Sequence, residues 1–358
     1  MVTSTATRRN RLRRRSRWPQ WCCVAVSGML VGGCSASGES LETAPEVVLT
    51  PTEAVLHAPV WSYRRDTLVA LTDDQRLVEV SDPADSHDTR IRFSPPLATG
   101  RNLQISRKDD GQVFVPQPQR GKVAVVDLQS LQPVEYVDAG PAPAYLSEDA
   151  GMSVLLALSA DGSSVTPVEE YGYRKLATAS LSTQADTIDG ANRGRSIDYH
   201  VYGGSGIRYY KGSSSPPDER GSMAMDVAIS AGDGTKVTRS YVARRDDDVL
   251  YAIDSRRGGT GLEVLAQTRL PAPVRALGTD ETRIYAATDR QLVVLKTASF
   301  TGYPTRTIPI IHVTDYRAGL PPGPLQSAPL SGLAVGPHRV YLTLQGAKYA
   351  ISVAKPRL

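Results

Sequence analysis

Cysteine is scarce in this sequence of 358 residues, which has only Cys22, Cys23 and Cys34. The chain after residue 33 therefore holds a single cysteine, which excludes an internal disulfide and a structural zinc site built from thiolates. Long apolar runs are also missing. The run at residues 22–31 has ten residues, about half of the roughly 20 that a membrane-spanning helix needs. We therefore predict no membrane-spanning helix.

The familiar signatures of catalysis are absent as well. The sequence contains no HExxH, GxSxG, Walker A or GxGxxG motif. Its histidines are scattered and form no i,i+4 pair: His57, His87, His200, His312 and His338. Ligands gathered from distant segments of a fold would escape such a search. The sequence therefore favours a protein without a metal, a cofactor or an enzymatic activity, and it leaves an enzyme open as the alternative.

The N-terminal 33 residues have the pattern of a secretory signal peptide. Seven arginines lie between Arg8 and Arg17, and the apolar run and two glycines follow. The segment Val31-Gly32-Gly33-Cys34 resembles the bacterial lipobox. This resemblance implies cleavage before Cys34, a diacylglycerol group on its thiol and a fatty acyl chain such as palmitate on its amino group. The alternative is an ordinary signal peptide cleaved near Ala36, which leaves a free thiol.

Removal of this segment changes the charge of the chain. Residues 1–33 contain seven arginines and no acidic residue, so 34 basic and 37 acidic side chains remain. The rest of the chain has no basic stripe of the kind that binds nucleic acid, and we expect no nucleic-acid partner. Residues 34–45 begin a small, polar, proline-containing stretch that is typical of a flexible tether. The remaining segment, 46–358, is long enough for one large core.

That segment has almost no convincing helix and contains a recurring unit instead. In each copy an apolar strand, a short polar turn and a second apolar strand follow one another. The copies span residues 67–81, 112–128, 153–169, 239–255, 283–297 and 339–354. A weaker copy, RSIDYHVYGGSGIRYYKG at 195–212, fills the one gap of double length. The unit therefore recurs seven times, about every 43 residues.

This period predicts an all-β fold, a single β-propeller of seven four-stranded blades. The last unit lacks a fourth strand, and EVVLT at 46–50 is predicted to supply it and to close the ring. Six blades, eight blades or a pair of β-sandwiches are the structural alternatives.

Two segments carry a family resemblance. Residues 121–151 resemble the YVTN-type propeller repeat, and residues 249–271 are similar both to it and to the PQQ-like repeat of quinoproteins. Quinoprotein repeats carry a tryptophan late in each blade, whereas Trp61 is the only tryptophan after the signal segment. We therefore expect no quinone cofactor.

Two clusters were considered as sites. The charged run 244–248, RRDDD, offers carboxylates to calcium but lies where the unit needs a turn, so a solvated hairpin turn is the favoured interpretation. The region 171–212 is rich in tyrosines, which suit the recognition of glycans or peptides. These tyrosines are predicted to form a binding surface, or else to fill the fourth blade: Tyr171, Tyr173, Tyr199, Tyr202, Tyr209 and Tyr210.

Together these patterns predict a lipid-anchored propeller at the outer face of a bacterial cytoplasmic membrane. Its expected role is a binding or scaffold module for envelope proteins or glycans. The alternative is a propeller enzyme of the lactonase or dehydrogenase type, with its site at the central channel.

Overall fold

The computed structural model describes residues 45–357, apart from 85–87, 192–193, 213–215, 236 and 256–260. These residues form 28 strands in seven four-stranded antiparallel sheets. The predictions for residues 1–44, including the lipobox Val31-Gly32-Gly33 and Cys34, lie outside the described residues. Within the described part of the chain, no helix is long and apolar enough to cross a membrane.

Each sheet is one blade of the propeller, and its strands follow one another from the central channel outward. Blade 1 consists of β2 (Leu56–Ser62), β3 (Thr67–Thr72), β4 (Leu77–Ser81) and β5 (Arg90–Phe93). Blade 2 consists of β6 (Gln104–Ile105), β7 (Gln112–Gln117), β8 (Lys122–Asp127) and β9 (Gln132–Asp138). Blade 3 consists of β10 (Pro143–Asp149), β11 (Val154–Ser159), β12 (Ser164–Glu169) and β13 (Ala179–Ser180).

The remaining blades repeat this order. Blade 4 consists of β14 (Thr187–Gly190), β15 (Ile197–Gly203), β16 (Gly206–Gly212) and β17 (Asp218–Met223). Blade 5 consists of β18 (Ile229–Gly232), β19 (Ser240–Ala243), β20 (Val249–Ser255) and β21 (Leu262–Arg269). Blade 6 consists of β22 (Ala276–Thr279), β23 (Arg283–Ala287), β24 (Gln291–Lys296) and β25 (Ile310–Asp315). Blade 7 consists of β26 (Leu330–Val335), β27 (Arg339–Leu344), β28 (Tyr349–Ala354) and β1 (Val47–Pro51).

The N-terminal strand closes the ring, as predicted. In β1, Val47 is opposite Val353 and Pro51 is opposite Tyr349, so the first strand of the chain becomes the outer strand of the last blade. Arg339 reinforces this closure because its guanidinium donates hydrogen bonds to the carbonyl oxygens of Pro45 and Glu46. Both the seven-bladed fold and the closing strand are therefore confirmed.

The recurring unit found in the sequence is the second and third strand of each blade. These strands are covered by a neighbouring blade on both sides, so apolar residues fill both faces. All six residues of β3 and all six of β11 are buried. The outer strand β9 is mostly exposed, which explains why the outer strands gave a weaker sequence signal.

The core consists of apolar layers between adjacent blades. Leu71 of blade 1, for example, packs with Val113 and Val126 of blade 2 in one such layer. Blades 1 and 7 share another layer, in which Trp61 packs with Tyr341 and Ala350. Because each layer spans a blade boundary, each blade depends on its neighbours for burial.

The propeller has two faces that carry different loops. The upper face is defined here by the loops that join the first to the second strand of a blade, such as 106–111 and 280–282, and by those that join the third to the fourth, such as 170–178. The lower face carries the loops between second and third strands, such as 244–248, and the links between blades, such as 316–329. Two short 3-10 helices, Pro118–Arg120 and Pro324–Gln326, lie in lower-face loops.

Candidate functional site

A cavity of about 720 Å³ opens at the upper end of the central channel. It is lined by the ends of first strands and by the loops that follow them in blades 1, 2, 5, 6 and 7. Val60, Trp61, Leu333 and Val335 supply apolar lining. The polar and charged lining includes Tyr63, Ser106, Arg107, Asp110, Asp280 and Glu281.

The loop 106–111, with sequence SRKDDG, connects blade 2 to blade 3 through its first half. Ser106 donates a hydrogen bond of 2.8 Å to Glu170 Oε2. The Lys108 backbone N–H donates a second one to the same oxygen, at 3.3 Å. The Lys108 ammonium lies 5.0 Å from the ring centre of Tyr171 and 5.9 Å from that of Tyr173, within the range of cation–π contacts. Ser106 and Lys108 thus hold the first half of the loop against blade 3.

The second half of the same loop connects blade 2 to blade 1. Asp109 forms a 2.6 Å ion pair with Arg64 and also accepts a hydrogen bond from the Gly111 backbone N–H, which shapes the turn before β7. Asp110 Oδ2 accepts hydrogen bonds from the backbone N–H groups of Tyr63, at 2.7 Å, and Arg64, at 3.1 Å. The loop therefore fixes the position of Tyr63 at the cavity mouth.

Asp110 is a carboxylate that lacks a close cation. Burial raises its pKa above the ordinary value, against the opposing effect of the hydrogen bonds from Arg64 and Tyr63. Its Oδ1 atom is buried and has no hydrogen-bond donor among the described residues. Such an acceptor is costly to bury without a partner. Asp110 is therefore a position where a ligand could supply a donor.

Tyr63 is the aromatic residue most open to solvent in this cavity. Its side chain is 57% exposed, and its hydroxyl donates to the Val335 carbonyl oxygen at 3.2 Å. Burial of the hydroxyl raises the pKa of Tyr63, and the nearby carboxylates of Asp280, Asp110 and Glu281 raise it further. The positive charge of Arg107 opposes this rise in the pKa, so charges of both signs act on the Tyr63 phenol.

Asp280, in contrast, is fully engaged within the protein. Its Oδ2 atom accepts hydrogen bonds from Tyr285, at 2.7 Å, and from Lys355, at 2.9 Å, while Oδ1 accepts from two backbone N–H groups. Burial alone would raise the pKa of Asp280, but the hydrogen bonds from Lys355 and Tyr285 lower it to about 2. Asp280 therefore serves the structure of the blade 6 loop rather than a ligand.

A pair of buried carboxyl groups adjoins the cavity on the side of blade 3. Glu148, at the end of β10, and Glu170, after β12, are both more than nine-tenths buried. Burial first, and Glu170 second, raise the pKa of Glu148 to about 9. Burial and the neighbouring carboxyl group of Glu170 thus favour the protonated form of Glu148. Arg107 lies beside this pair, with its Nε atom 3.4 Å from Glu148 Oε2.

The structure corrects the predicted tyrosine surface. Tyr199, Tyr202, Tyr209 and Tyr210 are at most 2% exposed, and they pack in the layers on either side of blade 4. The rings of Tyr199 and Tyr210 stack with centres 5.3 Å apart. Because both strands of this unit are covered on two faces, its tyrosines fill the blade, which was the alternative considered.

The other two tyrosines of that set lie on the upper face. Tyr171 is 65% exposed, whereas Tyr173 is half-buried and donates a hydrogen bond to Gln112 at 3.2 Å. Both contact Lys108 in the loop that lines the cavity. The long link between blades 6 and 7, residues 316–329, lies on the lower face and is held by hydrogen bonds from Arg317.

The run 244–248 forms the predicted solvated turn. It joins β19 to β20 on the lower face, and its carboxylates pair with arginines, as in the 3.0 Å contact between Asp246 and Arg275. No group of three or more ligating side chains suited to a metal ion occurs among the described residues.

Sequence reasoning missed the cavity residues Tyr63, Arg107, Asp110 and Glu281, together with Glu148. They come from blades 1, 2, 3 and 6, and no short motif joins them. One signal was available: each of the four cavity residues falls in the loop just before a recurring unit, where a propeller gathers its channel-mouth side chains.

Comparisons with known proteins agree on the fold. A search against protein-family models found no match, and a search of curated proteins found no significant one. A chain in the crystal structure of the mitotic checkpoint complex is similar with a TM-score of 0.65 at 11% identity, over 92% of this chain and 100% of that chain. The WD40 repeats of RRP9 are similar with a TM-score of 0.64 at 9% identity, over 86% and 97%.

An enzyme has the same architecture. Virginiamycin B lyase from Staphylococcus aureus is similar with a TM-score of 0.59 at 11% identity, over 87% of this chain and 99% of that chain. At these identities the likeness concerns the fold alone. The chain is a seven-bladed β-propeller with WD40-like and lyase-like structural neighbours.

Proposed function

We propose that this protein is a lipid-anchored module of the bacterial envelope that binds a partner at the channel-mouth cavity. The observation that carries the proposal is the cavity itself, which is open on the upper face and has exposed side chains in its lining. Tyr63 is 57% exposed, the Arg107 side chain is 61% exposed and Glu281 is exposed. Exposed aromatic and arginine side chains around a recess are typical of binding sites.

The path of the chain supports a link between anchor and cavity. Glu46 accepts a hydrogen bond from the Ala354 backbone N–H, and the next residue, Lys355, reaches Asp280 at the cavity. The chain therefore enters β1 on the upper face. The eleven residues 34–44 can span about 40 Å at most. A lipid on Cys34 would keep Pro45, where the chain enters blade 7, within that distance of the membrane surface, among envelope proteins and glycans.

The binding role can be tested by capture from solubilised cell envelopes. The protein with Tyr63→Ala or Arg107→Ala is compared with the unchanged protein and with Tyr136→Ala, which removes an exposed tyrosine from the outer strand of blade 2. We expect partners to be lost with the two cavity variants and retained with Tyr136→Ala. Equal recovery with all four proteins would contradict the proposal.

The anchor has its own test. Cys34→Ala should move the protein from the membrane fraction to the soluble fraction and abolish labelling by a palmitate analogue. The anchor proposal is wrong if the unchanged protein and the Cys34→Ala variant both remain in the membrane fraction and neither is labelled.

A second candidate function is a propeller enzyme of the lactonase type. The observation in its favour is the Glu148–Glu170 pair beside Arg107, because a protonated carboxyl group next to a cation can act as a general acid. An enzyme of this kind would hydrolyse a panel of lactones and lose that activity with Glu148→Gln. Activity that survives Glu148→Gln, or no activity above buffer, would count against this candidate.

A further inference from the structure

The charges of the cavity are unevenly compensated. Asp280 has Lys355 as its cation, at 2.9 Å. Asp110 and Glu281 have no ion-pair partner among the described residues. Arg107 is the cation of the cavity, but its Nε lies 3.4 Å from Glu148, on the side of blade 3. Glu281 belongs to blade 6, and blades 7 and 1 lie between it and Arg107 of blade 2.

The cavity also contains polar atoms that the described residues leave unpaired. Trp61 is 7% exposed and lines the cavity, and its Nε1 donor has no acceptor among the described residues. Asp110 Oδ1, an acceptor at the same cavity, has no donor. Buried donors and acceptors are nearly always paired in folded proteins, so the two together favour a ligand that brings both a donor and an acceptor.

We propose that the channel-mouth cavity binds a lysine or arginine side chain of an extended partner polypeptide, held between the carboxylates of Asp110 and Glu281 against the ring of Tyr63. The proposal rests on the binding function proposed above and names the chemistry of its ligand. Tyr63 offers a partly exposed ring of the kind that attracts a cation. The polypeptide backbone supplies the carbonyl acceptor that Trp61 Nε1 lacks.

The shape of the lining favours a long cationic side chain over a bare ion. Val60, Leu333 and Val335 form an apolar wall beside the charged groups, and lysine and arginine have aliphatic stems that pack on such surfaces. The described residues contain no metal-binding group of three ligating side chains. A nucleic-acid strand would be repelled by Asp110, Asp280 and Glu281.

Trp61 provides a direct readout. Trp61 is the only tryptophan after residue 33, so cleavage before Cys34 leaves it as the only tryptophan of the anchored protein. This protein, in detergent, is titrated with a five-residue peptide that has a central lysine and blocked ends, and with the same peptide carrying norleucine. We expect the lysine peptide to change the Trp61 emission and to bind about tenfold more tightly than the norleucine peptide, with a preference that falls as salt rises.

Variants locate the cation. Glu281→Gln changes an exposed side chain, so its fold is expected to be intact, and it should weaken binding of the lysine peptide about tenfold. Asp110→Asn should do the same. Asp246→Asn removes an exposed carboxylate on the lower face and should leave the affinity unchanged. Trp61 emission before titration reports whether each variant keeps the native environment of the cavity.

Three outcomes would overturn this assignment: equal binding of the two peptides, no binding of either, or the same emission change with magnesium or calcium chloride alone. Loss of affinity with Asp246→Asn equal to that with Glu281→Gln would overturn it as well. If the Tyr63→Ala and Arg107→Ala variants lose an envelope partner in the capture experiment although the protein binds the lysine and norleucine peptides equally, the binding function stands and the cationic ligand is rejected. If neither effect occurs, both proposals are rejected.

Discussion

The indole ring of Trp61 stacks on the phenol ring of Tyr341 with ring centres 4.6 Å apart and planes 1° from parallel. Trp61 belongs to the first strand of blade 1 and Tyr341 to the second strand of blade 7, so the pair lies where the ring is closed. The same indole lines the cavity. The same contact therefore joins blade 7 to blade 1 and forms part of the candidate site.

This contact gives the first prediction. Tyr341→Ala removes a buried ring and should lower the free energy of unfolding by about 3–5 kcal/mol. Phe300→Ala, which removes a ring that is 78% exposed, should change it by less than about 0.5 kcal/mol. Urea unfolding followed by circular dichroism measures both. Similar losses for the two variants would mean that the stack does not support closure.

The carboxyl group of Glu148 predicts how stability depends on pH. Its pKa in the folded protein is about 9, above the ordinary value of 4.5, so its favourable contribution is complete below pH 4.5 and is lost as pH rises towards 9. Glu148→Gln keeps the shape and removes the titration. The variant should be more stable than the unchanged protein at pH 8, by at least about 1 kcal/mol, and the difference should shrink at pH 5.

Glu281→Gln is the matched control for this measurement because it replaces an exposed carboxylate of the same cavity. Its unfolding curves should follow those of the unchanged protein at both pH values. If the Glu148→Gln protein shows the same pH dependence as the unchanged one, the carboxyl pair does not hold a proton.

His200 predicts the opposite slope in acid. Burial lowers its pKa to about 4 from 6.5, so its contribution to stability is complete above pH 6.5 and is lost as pH falls through 4. Its ring stacks on Tyr209 at 5.1 Å, and His200→Phe preserves an aromatic ring there. The free energy of unfolding of this variant should fall less between pH 6.5 and 4.5 than that of the unchanged protein. An equal or steeper fall in the variant would contradict the buried, neutral histidine.

The two surface tyrosines can be separated from the buried ones by the same method. Tyr209→Ala should lower the free energy of unfolding by about 3–5 kcal/mol. Tyr171→Ala should change it by less than about 0.5 kcal/mol, because this side chain is 65% exposed. A protein that tolerates Tyr209→Ala as well as Tyr171→Ala would restore the binding surface that the sequence suggested.

The fold was predictable because the second and third strands of every blade are covered on both sides. Such strands are continuous apolar runs, as in β3 and β11, and their regular spacing fixed the number of blades. The first and fourth strands are shorter or more exposed, as in β6 and β9, and gave little signal. β1 was predictable because the last unit lacks a fourth strand, and closure of the ring requires one.

The candidate site was not predictable to the same degree. Asp110 and Glu281 are 171 positions apart, and the closed ring brings them to one cavity. The tyrosine-rich unit of blade 4 was misleading because tyrosine is used there as a core residue. The sequence does not show whether a tyrosine contacts a partner at the surface or packs against a neighbouring blade.

The most direct measurement of the central claim, that a partner binds at the channel mouth, is photo-cross-linking in intact cell envelopes. A benzophenone amino acid is placed in turn at position 63 in the cavity, at 136 on the side of blade 2 and at 246 on the lower face. We expect a specific cross-linked partner from position 63 and none from 136 or 246. No cross-link from 63, or the same cross-links from all three positions, would contradict it.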